Sequence, residues 1–262
     1  MDVQSKEYRE HRIFTELDEY QEFYKGISYT IMSFVTMGTK SIINIDTYSF
    51  SSMQGTIDSI KMTLANGRIN DAYALLRKYY DSTIINIYAS LYLQNEVSLE
   101  NFIVKKIDNW LNGIEAIPEY RIMSSYIRNS EKFTELNKLL HKDERYKRIR
   151  KRCNDHTHYN FYHNVLLNDN EIYLPYRIKA LSQYQNDIKN IFILHLAYLF
   201  YLNEHYMAST DYIDALECGL TPEENSQYWV APFIQEIFDK IIKTNRLDIA
   251  NLIIEKTCMN LK

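Results

Sequence analysis

The sequence predicts an all-α protein, an antiparallel helical bundle with additional C-terminal helices. Apolar and aromatic residues recur every three or four positions over long stretches, which is typical of amphipathic helices. No segment alternates strictly between apolar and polar residues over five or more positions, as a half-buried strand would. The chain of 262 residues has only six glycines and four prolines. These are too few for the many tight turns of a β-sandwich or propeller.

The clearest periodicity lies in residues 68–94, where apolar residues recur at helical spacing from Ile69 to Leu91. Residues 51–66 carry a similar apolar face. The pair Asn66-Gly67 between them is a typical turn signal. We therefore predict an antiparallel helical hairpin that turns at Gly67.

The rest of the chain is also interpreted as helices joined by loops. Residues 166–175 are predicted to be a loop, since Asn and Asp occupy three consecutive positions there. Residues 191–202 are strongly apolar but too short to span a membrane, which indicates a buried core helix. The further predicted helices cover residues 99–111, 119–140, 155–165, 176–206, 211–219, a segment beginning at Thr221-Pro222, 234–242 and 247–259.

Two regions follow from this pattern. Residues 1–207 are predicted to form the main bundle with an N-terminal helical extension. Residues 208–262 are predicted to form a C-terminal helical cap, either as a separate region or as part of the same domain, because they are too few and too sparsely apolar to make a second core.

Composition and motifs exclude several classes. Hydrophobic residues make up 46% and charged residues 24%, which is ordinary for a globular protein and excludes a mainly disordered chain. The charged N-terminus does not resemble a secretory signal. Three widely spaced cysteines form no CxxC pair, which favours a reducing cytoplasm. The sequence lacks the glycine-rich motifs of P-loop proteins and the GxSxG of α/β hydrolases. We predict no cofactor and no membrane partner.

One stretch, residues 141–164, concentrates side chains that carry chemistry. Its first part is strongly basic in a chain of net charge −4, and four of the seven histidines lie in it. Polar and aromatic residues are interleaved with the histidines. The basic residues are Lys142, Arg145, Lys147, Arg148, Arg150, Lys151 and Arg152, and the histidines are His141, His156, His158 and His163.

These residue types suit metal-independent phosphodiester chemistry. Arginine offers a planar cationic fork for a phosphate, and histidine moves protons near neutral pH. Two other interpretations remain open at this point. A basic run is often a solvated face, and clustered histidines can bind zinc. The spacing of His156, His158 and His163 does not place them on one helix face, which disfavours a metal site.

The stretch also resembles the HEPN superfamily. The signature of that superfamily is Arg, four to six residues, then His, often with Asn, Asp or His directly after the Arg. Arg152 to His158 fits this spacing, and Arg150 to His156 fits it equally. The departure is Cys153, where the superfamily often has a polar residue; Asn154 is shifted by one position. Residues 67–82 also resemble the polar-studded helix found early in several bacterial HEPN-like defence proteins.

The resemblance implies a metal-independent endoribonuclease that works as a dimer, a toxin or anti-phage effector with a cognate antitoxin or sensor. In this interpretation Arg152 binds the scissile phosphate, while His158 (or His156 in the alternative pair) is the acid-base group. Asn154 positions one of them. RNA is held by Lys147, Arg148, Arg150 and Lys151. The alternative is a non-catalytic helical module that binds RNA or protein.

The spacing has a geometric consequence. On one regular helix, Arg152 and His158 would lie about 240° apart. They converge only if a helix begins between them, with Asp155 as its N-cap, or if a second subunit completes the site. Arg77 and Asp81 are predicted supporting residues, either as a simple ion pair on their helix or with Asp81 orienting Arg152 or a motif histidine.

Overall fold

A computed structural model describes residues 2–34, 45–101 and 103–262. These residues form α-helices, 3₁₀ turns and one π-helical segment, and their only β-type pairing is an isolated bridge between Ala208 and Val230. The all-α prediction is confirmed for the described part of the chain. The α-helices are α1 Lys6–Arg9, α2 Ile13–Phe34, α3 Ile45–Ala65, α4 Ile69–Glu96, α5 Lys105–Leu111, α6 Tyr120–Arg128, α7 Thr134–Leu140, α8 Arg145–Thr157, α9 Tyr162–Leu166, α10 Arg177–Leu202, α11 Asp211–Glu217, α12 Pro232–Ile237 and α13 Leu247–Lys256.

Helix α4 is the centre of the bundle and packs against α3, α6, α8 and α10. With α3 it forms the predicted hairpin. Gly67 at the turn has a φ of +78°, and a Cβ added there would lie 2.6 Å from a methyl group of Val3. Both the left-handed backbone and the close approach favour glycine.

Several predicted helices differ from the structure, three of them between residues 99 and 228. The predicted helix 119–140 is broken at residues 129–133 into α6 and α7, and the Asn137 side chain donates to the carbonyls of Ile127 and Arg128 at the end of α6. The predicted helix 99–111 begins only at Lys105; Phe102 lies outside the described residues. The predicted helix at Thr221-Pro222 is a short 3₁₀ turn, Ser226–Tyr228, preceded by Asn225 in the left-handed conformation.

The C-terminal helices share the main hydrophobic core. The predicted helix 234–242 is observed as α12 followed by a π-helical segment, Phe238–Lys243. Phe238 packs against Phe200 of α10 with ring centroids 5.7 Å apart, and Ile253 of α13 is fully buried in the same core. The division of the chain at residue 207 stays a prediction.

A chain of hydrogen bonds crosses the core at His195, which lies in the predicted core helix. Nδ1 of His195 is 2.6 Å from the Tyr24 hydroxyl, which is 2.7 Å from that of Tyr79. Nε2 of His195 is 2.9 Å from Asn86 Oδ1, and the Asn86 amide donates to Asp46. Because every ring nitrogen is partnered, the imidazole is accommodated at full burial without charge.

Across residues 2–34, 45–101 and 103–262, no helix is long and apolar enough to cross a membrane.

Candidate functional site

Helix α8 and its C-cap carry both candidate Arg/His pairs. The prediction of a helix beginning at Asp155 is wrong, because α8 already begins at Arg145 and ends at Thr157, so that His158 is its C-cap. The reason is an apolar face in the basic stretch: Tyr146, Ile149 and Cys153 are buried at helical spacing. Arginine and lysine also favour helix.

Arg152 is held by a bidentate ion pair in the interior. Its Nε and Nη2 donate to the two carboxylate oxygens of Asp187 on α10, at 2.7 and 2.8 Å. Asp187 is fully buried and accepts further bonds from the Tyr73 hydroxyl and the Gln183 amide. One third of the Arg152 side chain remains exposed. The guanidinium is thus fixed in orientation on a side chain that is partly exposed to solvent.

The two candidate histidines have opposite environments. His156 is buried, its ring stacks on Tyr73 with centroids 4.0 Å apart, and its Nδ1 lies 2.9 Å from Asn70 Oδ1. Burial lowers the pKa of His156 to about 4, which keeps the imidazole neutral at neutral pH. His158 is exposed, and no side-chain hydrogen bond to its ring occurs among the described residues. Of the two, only His158 is open to a substrate.

The exposed stripe of α8 consists of Lys147, Lys151 and His158. Lys151 lies seven positions and Lys147 eleven positions before His158, separations that bring all three to one face of a helix. Arg152 lies on a different face, about 240° from His158. The lysines pair with Glu144 at 3.0 Å and Asp155 at 3.6 Å. The lysine of each pair is exposed, and surface ion pairs contribute only about 0–1 kcal/mol.

Arg148 and Arg150, which were also predicted to hold RNA, have different environments. Arg148 is exposed and, within the described part of the chain, its side chain makes no hydrogen bond or ion pair. Arg150 instead donates to Asp81 at 2.6 Å and stacks over the ring of Tyr120, 3.1 Å from its centroid. It is fixed in the framework rather than free on the surface.

Arg77 and Asp81 form a bridge between α4 and α8. Their ion pair within α4 is present, with Nε to Oδ2 at 3.0 Å. Asp81 reaches across to Arg150, and Arg77 donates to the side-chain oxygen of Asn154. The prediction that Asp81 contacts Arg152 or a motif histidine is therefore wrong, because Asp187 takes that role for Arg152. Asn154 contacts Arg77 instead of Arg152 or His158.

An aromatic loop follows the exposed stripe and consists of Tyr159, Phe161 and Tyr162. All three side chains are exposed, Tyr162 by 75%. Phe161 stacks on His163 with centroids 5.6 Å apart. Tyr159 has a φ of +49°, which turns the chain sharply at the end of α8. Exposed rings beside cations are the side chains on which nucleic-acid bases stack.

Sequence reasoning missed Asp187, Tyr73 and Asn70. Asp187 occupies the apolar face of α10 together with Tyr184, Ile188 and Ile191. A carboxylate at such a position needs a buried cationic or hydrogen-bonding partner. An acidic residue on an otherwise apolar helix face was therefore the sequence signal that could have identified Asp187.

The thiol and metal chemistry of the site is limited. Cys153 is fully buried, and burial raises the pKa of its thiol to about 12, so it is unreactive as a nucleophile. Across residues 2–34, 45–101 and 103–262, no group of three or more His, Cys, Asp or Glu side chains is placed to hold a metal ion.

We expect the stability of the fold to decrease as pH falls from 6.5 toward 4. Burial lowers the pKa of His141 and His156 to about 4 and that of His195 to about 3, while unfolded histidine titrates near 6.5. In this window the unfolded chain binds more protons, so each buried histidine costs up to about 1.4 kcal/mol per pH unit. Urea unfolding at pH 7.5 and 5.0 measures the slope. His156→Gln should flatten it; equal slopes in the parent and this variant would contradict the assignment.

No protein-family model, curated protein or solved structure matches this chain. The geometry of α8 and its neighbours is therefore the basis for the proposals below.

Proposed function

We propose that this chain is a metal-independent endoribonuclease of the HEPN type. The observation that supports it is the exposed His158 at the end of a lysine stripe, on the helix that also holds Arg152 in a bidentate pair. The stripe and the aromatic loop together offer cations for the phosphates and rings for the bases of a single-stranded RNA.

In this proposal the acid-base group is His158. Its imidazole takes the proton of the ribose 2′-hydroxyl as the oxygen attacks phosphorus, or returns a proton to the departing 5′-oxygen. Arg152, whose side chain is partly exposed, binds the phosphate and stabilises the charge that develops there. The products are a 2′,3′-cyclic phosphate and a 5′-hydroxyl end.

In this proposal two copies of the chain form the site. Because α8 is continuous through the motif, Arg152 and His158 of one chain face different directions. A homodimer in which Arg152 of one copy meets His158 of the other completes the site. This arrangement agrees with the dimer that the family resemblance implies.

The decisive test is cleavage of single-stranded RNA by the purified protein in EDTA. We expect His158→Ala to reduce the rate at least about 100-fold, the lower end for loss of an acid-base group. The matched control is His205→Ala, an exposed histidine in the turn after α10. Equal cleavage by parent and His158→Ala would overturn the proposal.

Mixing two inactive variants tests the dimer. When the Arg152→Lys protein is mixed with the His158→Ala protein, heterodimers form. In each heterodimer, one site combines Arg152 of the His158→Ala chain with His158 of the Arg152→Lys chain, so that this site carries both native residues. Cleavage should then return, whereas a site within one chain would stay inactive in the mixture. Arg152→Lys is used because lysine retains the charge opposite Asp187 but not the bidentate fork.

A second candidate is an RNA-binding module without cleavage. It is favoured by the separation of Arg152 and His158 along α8 and by the bidentate engagement of Arg152 with Asp187. In that case the parent binds RNA without cutting it, and Lys147→Ala with Lys151→Ala weakens binding and reduces its salt dependence. His158→Ala then leaves binding nearly unchanged.

A further inference from the structure

A cavity of about 600 Å³ lies between α6 and α8, beside the exposed stripe. Its walls come from Tyr80 of α4, from both ends of α6, from the turn between α7 and α8, and from the first three turns of α8. This volume falls in the range of small-molecule sites and greatly exceeds that of a single inorganic anion. The cavity is distinct from the Arg152–Asp187 pair, since neither residue lines it.

The charges of this cavity favour an anionic ligand. Four cationic side chains line it, Arg128, Lys147, Arg150 and Lys151, against the two acidic ones of Asp143 and Glu144. Both acids are already paired. Asp143 accepts a bidentate bond from Arg145, and Glu144 accepts from Lys147. The Arg145 guanidinium holds the pKa of Asp143 well below its usual value, so the carboxylate stays charged and paired.

Arg128 is the unengaged cation of the cavity. Its side chain is exposed and, within residues 2–34, 45–101 and 103–262, makes no hydrogen bond or ion pair. His141 lies close enough to it that burial, aided by the Arg128 charge, lowers the pKa of the imidazole to about 4. A neutral imidazole and a free guanidinium together offer donors to a phosphate.

Arg150 and Tyr120 line the same cavity and stack on each other. The guanidinium of Arg150 is also held by a hydrogen bond to Asp81. Asn154 accepts from Arg77 through its side-chain oxygen, which leaves its amide Nδ2 as a donor in the same cavity. Guanidinium planes and aromatic rings are the surfaces on which nucleic-acid bases stack, and an amide reads their polar edges.

We propose that this cavity binds a nucleotide, with the phosphate at Arg128 and His141 and the base over the Arg150–Tyr120 stack. The proposal goes beyond RNA cleavage, because it concerns equilibrium binding at residues outside the Arg152/His158 site. A free nucleoside monophosphate and the 5′-phosphorylated end of an RNA present the same chemistry to these residues.

The test is calorimetric titration of the full chain with adenosine 5′-monophosphate. We expect saturable binding that Arg128→Ala weakens by about tenfold or more, the cost of one charge-assisted hydrogen bond. The matched control is Arg121→Ala, an exposed arginine on the same helix that lines a different cavity. It should bind as the parent does. Circular dichroism of both variants verifies that they remain folded.

Three further titrants define the ligand. Adenosine and inorganic phosphate should each bind at least about tenfold more weakly than the nucleotide. A 5′-phosphorylated tetranucleotide that competes with the nucleotide, when its 5′-hydroxyl counterpart does not, assigns the site to RNA ends; failure to compete assigns it to free nucleotides. No saturable binding by the parent, equal binding by Arg128→Ala, or phosphate binding as tight as the nucleotide would each overturn the proposal. Loss of RNA cleavage in His158→Ala has no bearing on these outcomes.

Discussion

Replacement of Arg177 by alanine is expected to lower the free energy of unfolding by about 3–5 kcal/mol, the usual cost of leaving a buried charge partner uncompensated. Arg177 is fully buried at the start of α10. Its Nε donates to Asp2 Oδ2 at 2.7 Å, and its Nη atoms donate to the carbonyls of Gly67, Asp169 and Ile172. One side chain thereby joins the N-terminal turn, the α3–α4 turn and the loop before α10.

Two companion variants sharpen this prediction. Arg177→Lys should lose an intermediate amount, because a single ammonium does not reproduce the rigid fork that serves these acceptors. Lys179→Ala is the control, since Lys179 is exposed two positions further along α10 and should change stability by less than about 0.5 kcal/mol. Urea unfolding followed by circular dichroism measures all three. A decrease of less than about 1 kcal/mol in the free energy of unfolding of Arg177→Ala would show that the contacts of Arg177 contribute little to stability.

Replacement of Arg152 by alanine is expected to destabilise the fold by about 3 kcal/mol, the lower end of the range for a broken buried pair. The lower end applies because one third of Arg152 is exposed. The change leaves the carboxylate of Asp187 buried, with Tyr73 and Gln183 as its remaining donors. Urea unfolding of the variant and the parent provides the measurement.

A double variant distinguishes charge from packing. Adding Asp187→Asn to Arg152→Ala should recover part of the lost stability, because a neutral amide removes the unpaired charge. Arg148→Ala, an exposed arginine on the same helix, should be close to neutral. If the double variant is as unstable as the single one, the cost arises from packing rather than from the ion pair.

The expected destabilisation of Arg152→Ala affects how a loss of RNA cleavage in that variant is interpreted. Loss of RNA cleavage in Arg152→Ala would combine a missing phosphate ligand with a weakened fold. His158→Ala and Arg152→Lys avoid that confusion, because His158 is exposed and lysine keeps the positive charge opposite Asp187. The complementation experiment uses these two variants for that reason.

Much of the helical pattern was predictable from local sequence. The α3–α4 hairpin follows from periodic apolar residues and from Gly67, and α10 follows from its long apolar face. Helix α8 was missed because its basic residues outnumber its apolar ones, although Tyr146, Ile149 and Cys153 recur at helical spacing. The break between α6 and α7 depends on Asn137, whose side chain serves carbonyls nine and ten residues away.

The sequence by itself determined the fold class, the concentration of basic and histidine residues in one stretch, and the absence of glycine-rich phosphate loops. These properties depend on local periodicity and composition. Only the tertiary structure decided that His156 is buried while His158 is exposed, that Asp187 rather than Asp81 holds Arg152, and that Arg128 and Arg150 line one cavity. Each of these depends on contacts between helices far apart in the chain, because burial and ion pairing are set by how the helices pack and not by their order.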